Sequence, residues 1–358
     1  MNKQQSRPTY ARANTTLLLL LAAVFALASI APIDAGFQQD KSKTQTGEAA
    51  PKLSEGELKA AKKVEAGVDA AARLQAADEF IKKYAKSEAR PHIAQLVVAK
   101  IADLQDPAQR ITLFENFLKL FKEPTEVRDF TPFLVDEYVK ANRLEDAFRL
   151  GTSYLTNNAD DVSVRAQLAI AGTAQAQNNN PAFVKQSTEY GDQAIALIEA
   201  NKKPAAMTDA QWGDYRTKVL SQLYQATGLL AMVGGGDAAM AKTKLEKASA
   251  LDPSNPFSYA LLGNLLNGEY QQLAEQYKTA PAGAGKDEML KKSQDKMDLI
   301  IDAYAHAIAL SDGKPEYKSV YDQLRQDIEP YFKFRHNNST DGLQQLIDKY
   351  KTPAAPQP

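Results

Sequence analysis

The sequence predicts an all-α protein of stacked helix pairs, on the strength of three observations. Between residues 57 and 350 apolar side chains recur three or four apart, the spacing of a helix face. Ala, Leu, Glu, Gln and Lys dominate that stretch, and all are strong helix formers. Runs of β-branched residues with period-two alternation are missing, so strands have no signal. A length of 358 residues suits two or three globular domains, or one long solenoid that grows by repetition.

Composition narrows the function classes. Apolar residues make up 44% and charged residues 24%, as in a folded soluble body. Lys and Arg number 43 against 44 Asp and Glu, a formal charge of -1. A nucleic-acid binder would carry a basic excess or a basic stripe, so no nucleic-acid partner is expected. The chain has no cysteine, which excludes disulfides, thiolate nucleophiles, cysteine-based metal sites and a lipidated-cysteine anchor.

The first element is an export signal or anchor over residues 1–35. Lys3, Arg7 and Arg12 precede a run that opens at Leu17–Leu21 and stays uncharged through Ala31, with Pro32 and Asp34 closing it. Cleavage would suit Ala26-Leu27-Ala28 or Ile33-Asp34-Ala35. The alternative is a retained inner-membrane anchor through residues 15–33. Leu17–Ala31 spans about 22 Å as a helix, short of the roughly 30 Å hydrocarbon core, and the flanking residues bring it to the lower limit. Positive charges before the segment place the rest beyond the membrane, on the periplasmic side of a bacterial envelope. Residues 36–56 read as a flexible tether and 352–358 as a disordered tail, since neither can repay its ordering entropy.

The helices follow in order. Val64, Val68, Ala71, Ala72 and Gln75 share one face, which continues through Phe80 and Tyr84. A second helix carries Ile93, Leu96, Val97 and Ile101. Pro107 opens a third with Ile111, Phe114, Leu118 and Phe121. Asn178-Asn179-Asn180-Pro181 and Pro281–Lys286 are irregular turns, and 316–351 forms a terminal helix group.

The clearest internal pattern lies near residue 250. Ala241, Leu245 and Ala248 lead into Leu251-Asp252-Pro253, and Tyr259, Leu262-Gly263 and Leu266 follow in phase. These landmarks resemble the tetratricopeptide repeat (TPR) family, a helix–turn–helix of about 34 residues. Leu134, Val135 and Tyr138, then Asn142–Ala147 and Gly151, form a weaker copy with Thr131 in place of the aromatic. Tyr224, Gly228 and Ala231 match with one residue inserted; Ile300, Tyr304, Ala307 and Leu310 fit a later second helix.

The resemblance implies a right-handed TPR-like α-solenoid over 57–315, of about five helix pairs, closed by capping helices over 316–351. Its packing positions would be Leu134, Tyr138, Ala147, Ala241, Leu245, Ala248, Pro253, Tyr259, Leu262, Gly263, Leu266, Tyr304 and Ala307. Gly263 would then pack against the second helix of its own hairpin. Gly263→Leu should overpack by about 1–3 kcal/mol. The sign for alanine stays open, because relief of a helix-interior glycine returns up to about 1 kcal/mol.

Chemistry-bearing motifs are few. His92, His306 and His336 lack partners at metal-ligand spacing, and no G-x-S-x-G occurs. Ser254 reads as a capping residue. Gly234-Gly235-Gly236 lacks the Gly-Lys-Ser/Thr of a phosphate loop and reads as a turn before the cap Asp237. Lys286, Lys291, Lys292 and Lys296 alternate with Asp287, Glu288, Asp295 and Asp298, a solvated face. Tyr331-Phe332-Lys333-Phe334-Arg335-His336 either grips a ligand or caps the open end before a last helix, Leu343–Tyr350. Trp212, with Tyr215 and Tyr224, reads as core.

No catalytic residue, cofactor or metal is expected. The expected function is a protein-interaction scaffold whose concave face takes another protein or an extended peptide. The alternative is a carbohydrate- or cell-envelope-binding helical repeat, in which exposed aromatics would line the groove.

Overall fold

The computed structural model describes residues 53–177, 180–204, 207–234 and 237–351. The apolar N-terminal segment, most of the expected tether and the expected tail lie outside the described residues. So do Gly235, Gly236, Asn178 and Asn179. Among the described residues there are fifteen α-helices, two short 3-10 turns and no strand. None of these helices is long and apolar enough to cross a membrane.

The chain divides into two compact units, with the boundary in the sequence between Leu168 and Ala169. The first holds α1 (Glu55–Glu65), α2 (Ala70–Lys83), α3 (Arg90–Ala102), α4 (Pro107–Leu120), α5 (Pro124–Val127), α6 (Thr131–Lys140) and α7 (Leu144–Asn157). It ends within α8 (Val162–Gln177). The second continues with α9 (Val184–Glu199), α10 (Asp209–Val233), α11 (Ala238–Leu251), α12 (Pro256–Thr279), α13 (Ala284–Ser311), α14 (Lys318–Arg335) and α15 (Leu343–Asp348). Packing runs mainly between helices adjacent in sequence.

Helix starts follow local chemistry. Ser54 and Glu57 form a capping box: Ser54 N–H donates to the Glu57 carboxylate at 2.8 Å, and Glu57 N–H donates to Ser54 Oγ at 3.3 Å. The first described helix therefore begins at Glu55, two residues before the expected boundary. The single face expected from Val64 to Tyr84 is in fact two helices. Asp69 accepts Ala72 N–H at 2.8 Å and starts α2 afresh. Arg73 reaches back to the carbonyls of Glu65 and Gly67 and across to Leu96 O at 2.9 Å. Val68 falls in the break and is 84% exposed, and Ala71 and Gln75 face solvent. A cap overrides periodicity here.

The core of the first unit is aromatic. Phe114 stacks on Phe130 with ring centroids 5.4 Å apart, and Phe117 meets Phe130 edge-on at 4.7 Å. Two ion pairs brace it from long range. Arg90 holds Glu126 with Nε and Nη2 at 2.5 and 3.1 Å, and the same carboxylate accepts the Lys122 and Glu123 N–H groups. Arg110 holds Glu137 at 2.8 Å. Both carboxylates are buried, so each charge depends on its partner.

Glycines set the helix approaches. A methyl group built on Gly151 of α7 would lie 2.8 Å from Leu168 Cδ1 of α8. In the second unit, Gly172 of α8 meets Ser187 of α9, and Gly191 of α9 meets Thr227 of α10. Gly228 of α10 meets Leu245 of α11, and Gly263 of α12 meets Tyr304 of α13; every one of these contacts is closer than 3.0 Å. The contacts join helices next to each other in the chain. The hairpin α12–α13 departs from a short repeat: its helices run 24 and 28 residues, together longer than a TPR unit of about 34.

The last elements close the second unit. Leu343 and Ile347 of α15 are buried in the cluster that contains Phe332. Behind them His306 lies between two tyrosines, 3.7 Å from the Tyr259 ring and 4.4 Å from the Tyr350 ring. The Tyr350 hydroxyl donates to Asp302, and its pKa is pushed up to about 12 by burial and by that carboxylate.

Candidate functional site

The packing positions named from sequence separate into two groups. Leu134, Tyr138, Ala147, Ala241, Leu245, Ala248, Gly263, Leu266, Tyr304 and Ala307 are buried. Tyr259 and Leu262 are half-buried, and Pro253 is exposed in the turn between α11 and α12. Ser254 does not cap α12. Its hydroxyl donates to Asp252 at 2.7 Å, and Asn255 caps the helix by accepting Phe257 N–H at 3.0 Å. The extra residue matters because Pro256 takes the first helical position and leaves the cap to its predecessor.

The polar residues that the fold gathers lie where α12 and α14 run side by side. Phe257, at the start of α12, meets Tyr317, just before α14, edge-on at 5.3 Å. Further along both helices Tyr270 meets Tyr331 edge-on at 5.6 Å. The two helices therefore point the same way, with α13 returning against both.

Between these ring contacts lies a strip of half-buried amides, with the Tyr304 hydroxyl buried beneath it. Tyr304, 1% exposed, donates its hydroxyl to Asn264 Oδ1 at 2.8 Å. Tyr331 donates to Asn267 Oδ1 at 2.7 Å, and Gln271 Nε2 approaches the same oxygen at 3.4 Å. Burial holds the Tyr304 hydroxyl well above the ordinary 10.0, with the Asp327 charge adding to it. Asp327 of α14 is half-buried and accepts Gln323 Nε2 at 2.9 Å. No ion pair forms on Asp327 among the described residues, and burial holds its carboxyl above the ordinary 3.8. A carboxylate placed in this way favours an incoming N–H donor or cation.

The other candidates are structural in their contacts. In the aromatic and basic run, Tyr331 is tied to Asn267, Phe332 is buried, and Arg335 forks onto Asp298 at 2.7 and 2.8 Å. Phe334 turns outward, 57% exposed. His336 stacks on Phe332 at 3.8 Å with Nδ1 2.9 Å from Phe332 O. The run seats α14 and its C-terminal turn. His92 is exposed on α3. Trp212 is 4% exposed, stacks on Tyr215 and donates Nε1–H to Asn201 at 2.8 Å. Tyr224 donates to Glu199 and accepts Lys247 Nζ at 3.0 Å, linking α9, α10 and α11. Gly234 ends α10, and Asp237 caps α11 by accepting Ala239 N–H at 2.8 Å. Among the described residues no three metal-ligating side chains gather.

Sequence reasoning named Tyr331 and Tyr304 but not the strip they form. Asn264, Asn267, Gln323 and Asp327 carry no motif, and Tyr331 finds Asn267 across 64 positions. The amide spacing on α12, Asn264, Asn267 and Gln271 at three and four, was the available signal.

Fold and site together define an all-helical protein of sequentially packed helices with a polar inter-helix strip. No protein-family model matches the chain, and no curated protein is significantly similar to it.

Proposed function

We propose that the protein is a non-enzymatic interaction scaffold of divergent TPR type whose α12–α14 strip takes an extended peptide segment of another protein. The observation that carries this reading is Asp327: a half-buried carboxylate without a cation, beside a row of amides and tyrosine hydroxyls. An extended backbone offers N–H and C=O groups at regular intervals, and amides can both donate and accept. A sugar would ask for a free aromatic face, whereas Tyr270 and Tyr331 meet each other edge-on. The peptide reading is favoured for that reason.

The cationic start and apolar run at 1–35 support export, with the helical body beyond a bacterial inner membrane, released or tethered. A reporter fused after Asp34 should be active only outside the cytoplasm.

The site itself is tested by placing a photo-reactive residue at Gln271 or Gln323 in the full chain, with Glu246 of α11 as a control position. Adducts at the strip should map to an extended protein segment and fall away in Asp327→Lys. Adducts carrying sugar, or none beyond the control, would refute the peptide reading.

A further inference from the structure

Three carboxylates lie on α14: Asp322, Asp327 and Glu329. Two of them are neutralised along the helix. Asp322 has Lys318 one turn back, at 2.7 Å, and Glu329 has Lys333 one turn on, at 3.2 Å. Asp327 has Gln323 and Tyr331 at those two positions, and Leu324 and Pro330 three residues away. The places from which a helix neutralises its own carboxylate therefore hold no cation.

Tertiary packing supplies none either. Arg325 of α14 reaches Gln344 at 3.3 Å, Arg335 is forked onto Asp298, and Lys296 of α13 is held by Glu269 of α12. The groups about Asp327 are neutral. Gln323 Nε2 takes Oδ1 at 2.9 Å, and Oδ2 has no hydrogen bond among the described residues. The buried Tyr304 hydroxyl, itself held by Asn264, feels the Asp327 charge.

The unpaired charge says what the bound segment brings. A backbone N–H would satisfy the free oxygen and leave the charge; an ammonium or guanidinium satisfies both. An inorganic cation would ask for several further oxygen ligands. The nearby amide oxygens Asn264 Oδ1 and Asn267 Oδ1 already accept tyrosine hydroxyls. A basic side chain needs only the carboxylate and brings its own donors.

We propose that Asp327 is the specificity-determining residue of the α12–α14 strip and that it selects a lysine or arginine side chain of the bound segment. The inference rests on the strip being a peptide site.

The test uses the full chain and a displayed library of random linear peptides. Enriched peptides are located by a photo-reactive residue at Gln271, and those that crosslink there are kept. They should share a position fixed as lysine or arginine. Changing that position to glutamine should weaken binding to the wild type about 10- to 100-fold, the worth of a hydrogen-bonded charge. In Asp327→Asn, which keeps the shape of the side chain, the same change should cost less than about threefold. Asp322→Asn removes a carboxylate already paired with Lys318, and should behave as wild type. Thermal unfolding checks that both variants are folded. Failure of every peptide to crosslink at Gln271 would overturn the strip reading and this proposal together. Peptides that crosslink there without a basic position overturn this proposal alone. So does a basic position whose loss costs as much in Asp327→Asn as in the wild type, or whose effect is lost equally in Asp322→Asn.

Discussion

Gly263→Ala should destabilise the second unit, although alanine is the better helix former. Its methyl group would sit 2.4 Å from Tyr304 Cε1 and 2.5 Å from Cδ1. Carbon atoms in favourable contact are about 3.5–4.0 Å apart, so the ring or the helix must yield by about 1 Å. The ring has little freedom: Tyr304 is 1% exposed, and its hydroxyl is held by Asn264, the residue next to Gly263. Overpacking of this kind costs about 1–3 kcal/mol, and strain on a buried hydrogen bond adds to it. Improved helix propensity returns up to about 1 kcal/mol. The balance is a loss of about 1–2 kcal/mol, or a fall of about 2–8 °C in Tm for a unit of this size. Trp212 is the single tryptophan and is buried in the same unit, so its fluorescence follows this transition. Gly268→Ala is the matched control: it lies five positions on in the same helix with nothing within 4 Å, and should stabilise slightly. A midpoint for Gly263→Ala at or above wild type, with Gly268→Ala raised as expected, would show that the α12–α13 interface is looser than described.

Three further outcomes follow from buried charge. Glu126→Ala strands the Arg90 guanidinium and should cost the first unit about 3–5 kcal/mol in urea unfolding followed by circular dichroism; a loss under about 1 kcal/mol would mean that the pair is solvated. Burial holds the His306 imidazole below 6.5, with Asp302 opposing weakly, so the folded state prefers the neutral ring. Stability should then be full above pH 6.5 and fall as pH drops below it. His306→Phe keeps the stack between Tyr259 and Tyr350, and should flatten that part of the stability profile; an unchanged slope would assign it elsewhere. Asp327 has the opposite shift, raised above 3.8, so its charged form costs stability at neutral pH and the cost vanishes at acid pH below 3.8. Asp327→Asn should raise Tm at pH 7 and converge with wild type in acid, while weakening peptide capture; a lower Tm at pH 7 would mean that the carboxylate has a partner.

Helical content was legible because period and propensity agree over most of the chain. The close approach at Gly263 was suggested by its place among Tyr259, Leu262 and Leu266, the positions that resemble a TPR first helix. The break at Gly67–Asp69 was not: the same-face spacing ran through it, and only the capping role of Asp69 and the Arg73 bonds to Glu65 and Gly67 stop the helix. Glu126 and Glu137 carry no sign of burial in the sequence, because their arginines lie 36 and 27 positions away. The α12–α14 strip was hidden for the same reason. Its members are ordinary helix-surface amides until tertiary packing sets two parallel helices side by side.

The glycine contacts have a consequence for how the chain reaches its folded state. Each joins helices that follow one another, with loop closures between them short in sequence. Contact order is therefore low along α7 to α11, and folding should be fast and local. A helix emerging from the ribosome, or from a translocation pore, can dock on its predecessor without waiting for the distant end. Two long-range bonds, Tyr331 with Asn267 and Tyr350 with Asp302, close late and fasten the C-terminal helices. The chain is thus built to zip from its N-terminal side and to seal last at α14 and α15.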